Sequence, residues 1–249
     1  MLLRSLTKHV KDQNWFAIAL DFFIVVVGIL LAFQITNWST ARQDNQIYEQ
    51  ARIRVIEEAK ANLVLSQDAI QDVNTQQNQA VNIIRDFETC SAEGGAEERL
   101  MRSMQSLRFF MALEVRNAAI NQFLTSDEFL DNISPEDRTV LSVYARKIDT
   151  LASNSRFSDS VQLNQTQPQD NPIFKRTHDE DFSGGLTELA LTVSYEQACR
   201  DTVLNHFLFD RLDNAAYIMR LAKSLENASR EVLMGLGENL PETTVEATQ

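Results

Sequence analysis

Residues 16–35 are apolar on every side of a helix, with only Asp21 and Gln34 strongly polar. At 1.5 Å per residue such a stretch spans about 30 Å, the thickness of a bilayer's hydrocarbon core. Beyond it the pattern changes from a continuous run to a periodic seam. Ile56, Ala59, Leu63, Ser66, Ile70, Val73, Gln77, Ala80, Ile84 and Phe87 keep an unbroken three-four spacing, and Tyr48, Ala51 and Val55 extend the stripe upstream after a phase shift. Gln, Asn and Asp crowd the opposite face. A long helix with one apolar stripe follows, resembling a coiled-coil seam. Two readings fit it: one helix of an antiparallel bundle, or a self-associating stalk.

Further along, helical spacing of Met101, Met104, Leu107, Met111, Val115 and Ala118 predicts a helix from Glu97 to about Leu124. Ser134 as N-cap, Pro135 at the first position and Glu136-Asp137 in the first turn predict the next start. That helix should run to about Gln162, with Val140, Leu141, Tyr144, Ile148 and Leu151 inward. The polar residues 164–185 read as a loop, long for a compact bundle. A last helix is expected over 186–236, bent near Ser194. Its apolar face comprises Leu208, Leu212, Ala215, Met219, Ala222, Leu225, Ala228 and Val232, and residues 237–249 read as a disordered acidic tail.

Composition agrees with helix almost throughout. The 249 residues contain only 7 Gly and 4 Pro, and long stretches are free of both, which a turn-rich β fold would not allow. The expected class is all-α: a single N-terminal transmembrane helix continuing into a long helix, followed by an antiparallel helical bundle. In domains this gives a tail (1–14), a membrane helix (15–38), a bundle (39–236) and the acidic tail. Net charge is -12, and no dense basic patch offers itself to phosphates, so nucleic acid is not an expected partner.

Trp15 and Trp38 bracket the span where interfacial aromatics sit. Ser39 and Ala41 offer a small-x-small cleavage pattern, but the apolar run exceeds the length of a signal-peptide core, so an uncleaved anchor is expected. Arg4, Lys8 and Lys11 precede the span, and only Arg42 and Arg52 follow closely. The positive-inside rule then sets the N-terminus in the cytoplasm and the bundle in the periplasm of a Gram-negative cell. Asp21, Val25, Gly28 and Ala32 share one stripe, and Gly28-x-x-x-Ala32 permits close approach of another helix. Asp21 either faces that partner or snorkels to the interface, about 9 Å away. The residues leave both open.

The motif formed by Asp21, Val25-Val26-Val27-Gly28-Ile29, Ala32, Gln34, Asn37 and Trp38 resembles the anchor signature of a bacterial single-pass membrane family of unknown function. Phe123 to Ile133, followed by Asp137-Arg138 and Tyr144, is a weaker similarity, where this chain has Ser126-Asp127 in place of the family's Ser-Gly. The resemblance implies an anchored helical protein and no particular activity.

Chemistry is sparse. Cys90 closes the first long helix and Cys199 opens the last, places that antiparallel packing would bring together, so a disulfide is expected in an oxidising compartment. Neither thiol has a neighbouring histidine as base. His178-Asp179-Glu180-Asp181 has consecutive rather than face-sharing ligands and reads as a solvated loop. His206 reads as a surface or part-buried histidine. No phosphate loop, nucleophile motif or metalloprotease pattern occurs. No cofactor, metal or enzymatic activity is expected. The function expected is that of a non-catalytic interaction protein, a subunit or scaffold binding other membrane subunits or copies of itself. The alternative is a periplasmic ligand-binding sensor acting through a partner. A reporter active only in the cytoplasm, fused after Gln249, is expected to be silent, and activity there would reverse the orientation.

Overall fold

The computed structural model describes residues 15–109, 112–126, 133–163, 167, 170–177 and 188–240. Arg4, Lys8, Lys11, Met111, Asp127 and the 178–181 cluster lie outside the described residues, as does the tail from 241. The fold is all-α with one short hairpin. Helix α1 (Trp15–Thr89) is uninterrupted for 75 residues, about 110 Å. It is followed by a 3₁₀ turn (Glu93–Gly95), α2 (Ala96–Leu107), α3 (Ala118–Thr125), α4 (Pro135–Leu163), strands β1 (Phe174–Thr177) and β2 (Glu188–Leu191), a single turn α5 (Tyr195–Ala198) and α6 (Thr202–Gly235).

The seam predicted on α1 is the face that α1 buries. Tyr48, Ala51, Val55, Ile56, Ala59, Leu63, Ser66, Val73, Ala80 and Phe87 are buried, while Ile70, Gln77 and Ile84 are half-buried. Its main partner is α6, running antiparallel. The Arg52 guanidinium donates to the Leu236 carbonyl at 2.6 Å near one end, and Cys90 is bonded to Cys199 at the other. Helix α4 packs antiparallel to α6, with Lys147 paired to Glu231 and the Ser158 hydroxyl donating to Asn214 at 3.1 Å. Gly235 lets these two helices close up, because a Cβ there would stand 2.7 Å from Val140 Cγ1. The stripe on α1 is therefore used within the chain.

The core divides in two. One cluster joins α1 from Tyr48 to Val73 with α3, α4 and the C-terminal part of α6. The other joins α1 from Ala80 to Phe87 with α2, the hairpin, α5 and the start of α6. Each fully buried aliphatic side chain contributes about 1.5–3 kcal/mol. Val55, Ala59, Ile148, Leu208 and Leu225, all fully buried, form the backbone of these clusters.

Helix α2 ends sooner than expected. It stops at Leu107, residues 112–117 form no regular secondary structure, and α3 begins at Ala118, so the predicted helix to Leu124 is two helices with a non-helical segment before the second. No glycine or proline marks the break. Side chains from elsewhere bond to the non-helical backbone. Asn62 on α1 donates to the Arg116 carbonyl at 2.8 Å and accepts from the Arg116 N–H at 2.9 Å, as a neighbouring strand would. Ser155 on α4 donates to the Leu113 carbonyl at 2.6 Å. Glu58, one turn before Asn62, accepts from the N–H groups of Ala119 and Ile120 at 2.7 and 3.1 Å and so caps α3.

Three other boundaries differ. Within the polar stretch 164–185, Phe174–Thr177 forms β1, pairing antiparallel with β2; Ile173, Phe174 and Leu189 bury against the distal core. The last predicted helix loses its first turns to β2. Ser194 starts the one-turn α5 with a capping box, and Asp201 starts α6, its carboxylate accepting from Leu204 N–H at 2.7 Å. At the start of the expected tail, Glu238 and Leu240 are half-buried, Leu240 against the first core. Gly237 adopts a φ of +79°, and the Glu238 N–H reaches back to the Leu233 carbonyl at 2.9 Å. This left-handed helix stop turns Glu238 onto Lys60.

Asn62 also donates to the Tyr144 hydroxyl at 3.0 Å, so truncating it removes a partner from both backbone groups of Arg116 and from the buried Tyr144 hydroxyl. Asn62→Ala is expected to lower unfolding free energy by about 2–4 kcal/mol in denaturant titration of the detergent-solubilised chain. A loss below about 0.5 kcal/mol would show that the apolar contacts of 112–117 hold the segment unaided.

Candidate functional site

Four places carry chemistry: the anchor stripe, the disulfide, a polar layer between the two cores and a recess beside α4. The anchor is the first part of α1. Its most apolar 18-residue window has a mean hydropathy of 2.3 and none of it is buried, so it is long and apolar enough to cross a membrane. Phe22, Phe23, Ile29, Phe33 and Ile35 are all more than half exposed, an arrangement costly in water and favourable in lipid. Asp21, Val25, Gly28 and Ala32 are exposed as well. Around Gly28 no atom of the described residues lies within 4 Å of where a Cβ would stand, so none of them occupies the small-residue notch. Trp38 is 66% exposed, with the Arg42 guanidinium 5.7 Å above its ring. Trp15 begins α1, and its side chain lies outside the described residues.

Cys90 and Cys199 are joined, their Cα atoms 5.7 Å apart. Cys90 has a φ of +49°, a left-handed conformation that usually falls to glycine at a helix end. The crosslink and the seated Phe87, whose ring meets Tyr195 edge-on at 6.0 Å, hold that turn in place. Nearby, Arg99 spans both oxygens of Asp86 at 2.9 Å, tying α2 to the end of α1.

Between the two cores the bundle becomes polar. Arg211 is only 2% exposed, its guanidinium 4.7 Å over the Phe207 ring, and it donates to Gln162 at 3.4 Å. Gln162 in turn donates to Ser158, which donates to Asn214. Burial pulls the Arg211 guanidinium down to about 10 and pushes the Tyr144 phenol, in the first core, up to about 12. The sequence held a signal for Arg211, a basic residue on the apolar stripe of α6 between Leu208 and Ala215, but Leu212 fits the periodicity equally well and hides it.

Beside this layer lies a recess of about 260 Å³. Its walls are residues 113–117 of the non-helical segment and one face of α4, where Ala152, Ser155, Arg156 and Asp159 recur at helical spacing. One oxygen of Asp159 is buried with no hydrogen-bond partner, and burial raises its carboxyl from the ordinary value. Sequence reasoning missed this place because 112–117 was expected to be helical. His206 is exposed on α6, and among the described residues no group of three or more His, Cys, Asp or Glu is arranged to hold a metal ion.

The chain matches no family model, and no curated protein or solved structure is similar to it. Its class therefore rests on its own architecture: an all-α protein whose N-terminal helix is long and apolar enough to cross a membrane.

The disulfide closes a sequence separation of 109 residues, which in the chain-entropy model contributes about 4–5 kcal/mol. Mass mapping without reductant should recover the Cys90–Cys199 bridge from protein of the native compartment. Cys90→Ser should lower the denaturant midpoint while leaving the helical content intact. Two free thiols in the native protein would overturn the assignment.

Proposed function

We propose that the chain is a non-catalytic, membrane-anchored interaction protein, a subunit or scaffold of a bacterial inner-membrane assembly, with its N-terminus cytoplasmic and its bundle periplasmic. The observation that carries this reading is the continuity of α1 from the apolar span into the bundle core. A helix without a break transmits orientation, so whatever grips the span also fixes the direction of the domain. Only ten residues separate Trp38 from Tyr48, where burial begins, which holds the domain about 15 Å off the anchor's end. The Cys90–Cys199 end then stands about 80 Å out.

The Asp21, Val25, Gly28, Ala32 stripe is the natural grip. Among the described residues no other segment fills the notch at Gly28, and small residues let a neighbouring helix approach where lipid offers no hydrophobic drive. The partner is another membrane subunit or a second copy. The resemblance of the anchor to a single-pass family supports the same reading. So does an expected oxidising compartment, where a disulfide can persist.

Because a larger side chain at Gly28 meets nothing among the described residues, Gly28→Ile tests the partner alone. It is expected to reduce crosslinking between anchors in native membranes several-fold, with the bundle still folded. Asp21→Asn should also reduce it if the carboxylate faces the partner, and leave it unchanged if Asp21 snorkels. Equal yields for wild type and both variants would mean the stripe faces lipid.

A further inference from the structure

The buried seam of α1 and the stripe at Gly28 lie on opposite sides of the helix. Val55 and Val73, both fully buried, follow Gly28 by 27 and 45 residues. At 3.6 residues per turn these are seven and a half and twelve and a half turns, so the bundle sits behind the anchor stripe. Residues at whole turns from Gly28 keep to the stripe's own side: Gln46 after five turns, Ile53 after about seven and Val64 after ten. Ser39, Gln50, Glu57 and Lys60 fill in the same face at helical spacing, and all of these residues are exposed. Ile53 and Val64 are 50% and 56% exposed, two apolar side chains about three turns apart on an otherwise polar face. Farther out the face closes, because α2 lies on it: the Ser106 hydroxyl donates to Gln79, and Arg99 holds Asp86.

A second copy in the same bilayer has the same orientation, so its α1 runs parallel to the first. A two-fold axis along the membrane normal sets each stripe against itself. Ile53 then meets Ile53 and Val64 meets Val64, while the two bundles stay on the outside, each behind its own helix. The charges agree with this pairing. In a parallel pair, one edge of each stripe stands against the other edge of its neighbour, and charges on these edges choose the partner. Glu49 lies on one edge and Arg54, five residues on, lies on the other, both exposed. Each Glu49 therefore stands against Arg54 of the second copy, and Glu57 is placed in the same way towards Lys60. Asp21 is on the same line only about 9 Å inside the membrane, so both carboxylates of the pair reach water by snorkelling.

We propose that α1 pairs with α1 of a second copy along this outer face, from Gly28 to Val64, in a parallel dimer that carries a bundle on either side. This rests on the reading of Gly28 and Ala32 as a contact stripe and commits that stripe to a second copy. Gln46, Gln50, Glu57 and Lys60 separate the apolar positions, so the part beyond the membrane is too polar to associate unaided. Two anchors already in contact raise its effective concentration, and the edge charges select register more than they add affinity.

Cysteine scanning of the full chain in native membranes tests it, since Cys90 and Cys199 are bonded to each other and leave no other thiol. Under mild oxidation, Gln46→Cys and Ile53→Cys should give a disulfide-linked dimer in at least fivefold higher yield than Asn45→Cys and Asn74→Cys, exposed positions about a quarter turn to the side. Arg54→Glu should lower the Ile53→Cys yield at least threefold, and adding Glu49→Arg should restore it, a rescue that mere loosening of the bundle would not give. Equal yields at the four positions would overturn the proposal. Were Gly28→Ile still to reduce crosslinking between anchors, the contact stripe would stand with a different partner beyond it; were it not, the stripe reading would fall as well.

Discussion

One helix carries two hydropathy patterns. Over its first turns α1 is apolar on all sides, long and apolar enough to cross a membrane, and a helix satisfies every backbone group internally, as lipid would require. From Tyr48 onward it must be apolar on a single stripe and polar elsewhere, because one face meets α6 and the other meets water. The change takes place over residues 39–47, most of which are exposed, with Ile47 the first to pack against the core. No glycine or proline interrupts it, and the helix passes through unbroken. The rest of the chain is arranged about this axis: α6 along its length, α4 against α6, and α2 and α3 laid on its sides.

Register along that axis is fixed at both ends. Near the anchor, Arg52 holds the Leu236 carbonyl and Lys60 holds Glu238. At the far end the disulfide does the same covalently. The exposed ion pairs contribute little each, so the long apolar contact supplies most of the stability and the end contacts select the alignment. Between them, the layer around Arg211 separates two apolar cores. Such a buried polar layer disfavours sliding of α6, since a shift would carry the Arg211 guanidinium away from its acceptor Gln162 on α4.

The same use of buried polar side chains makes the recess. Asn62 and Ser155 supply to residues 112–117 the hydrogen bonds that a neighbouring strand or a helix would have supplied. An open segment held in this way keeps a gap between itself and α4.

Much of this architecture was legible in the chain itself. The all-round apolar run and the switch to a three-four seam defined α1, because those periodicities follow from helix geometry alone. Ser134-Pro135-Glu136-Asp137 announced α4, and the Ser134 hydroxyl does accept from the Asp137 N–H at 3.0 Å. The tertiary structure alone decided the break after Leu107, since the sequence there carries no glycine or proline, and the Leu113 carbonyl and both backbone groups of Arg116 take their partners from residues 155 and 62. It also decided the hairpin, whose strands are four residues each, too short to show an alternation. Arg211 and Asp159 belong to this second group. Local sequence shows a charge on a helix, but whether that charge is buried, and what stands opposite it, depends on packing between elements far apart in the chain.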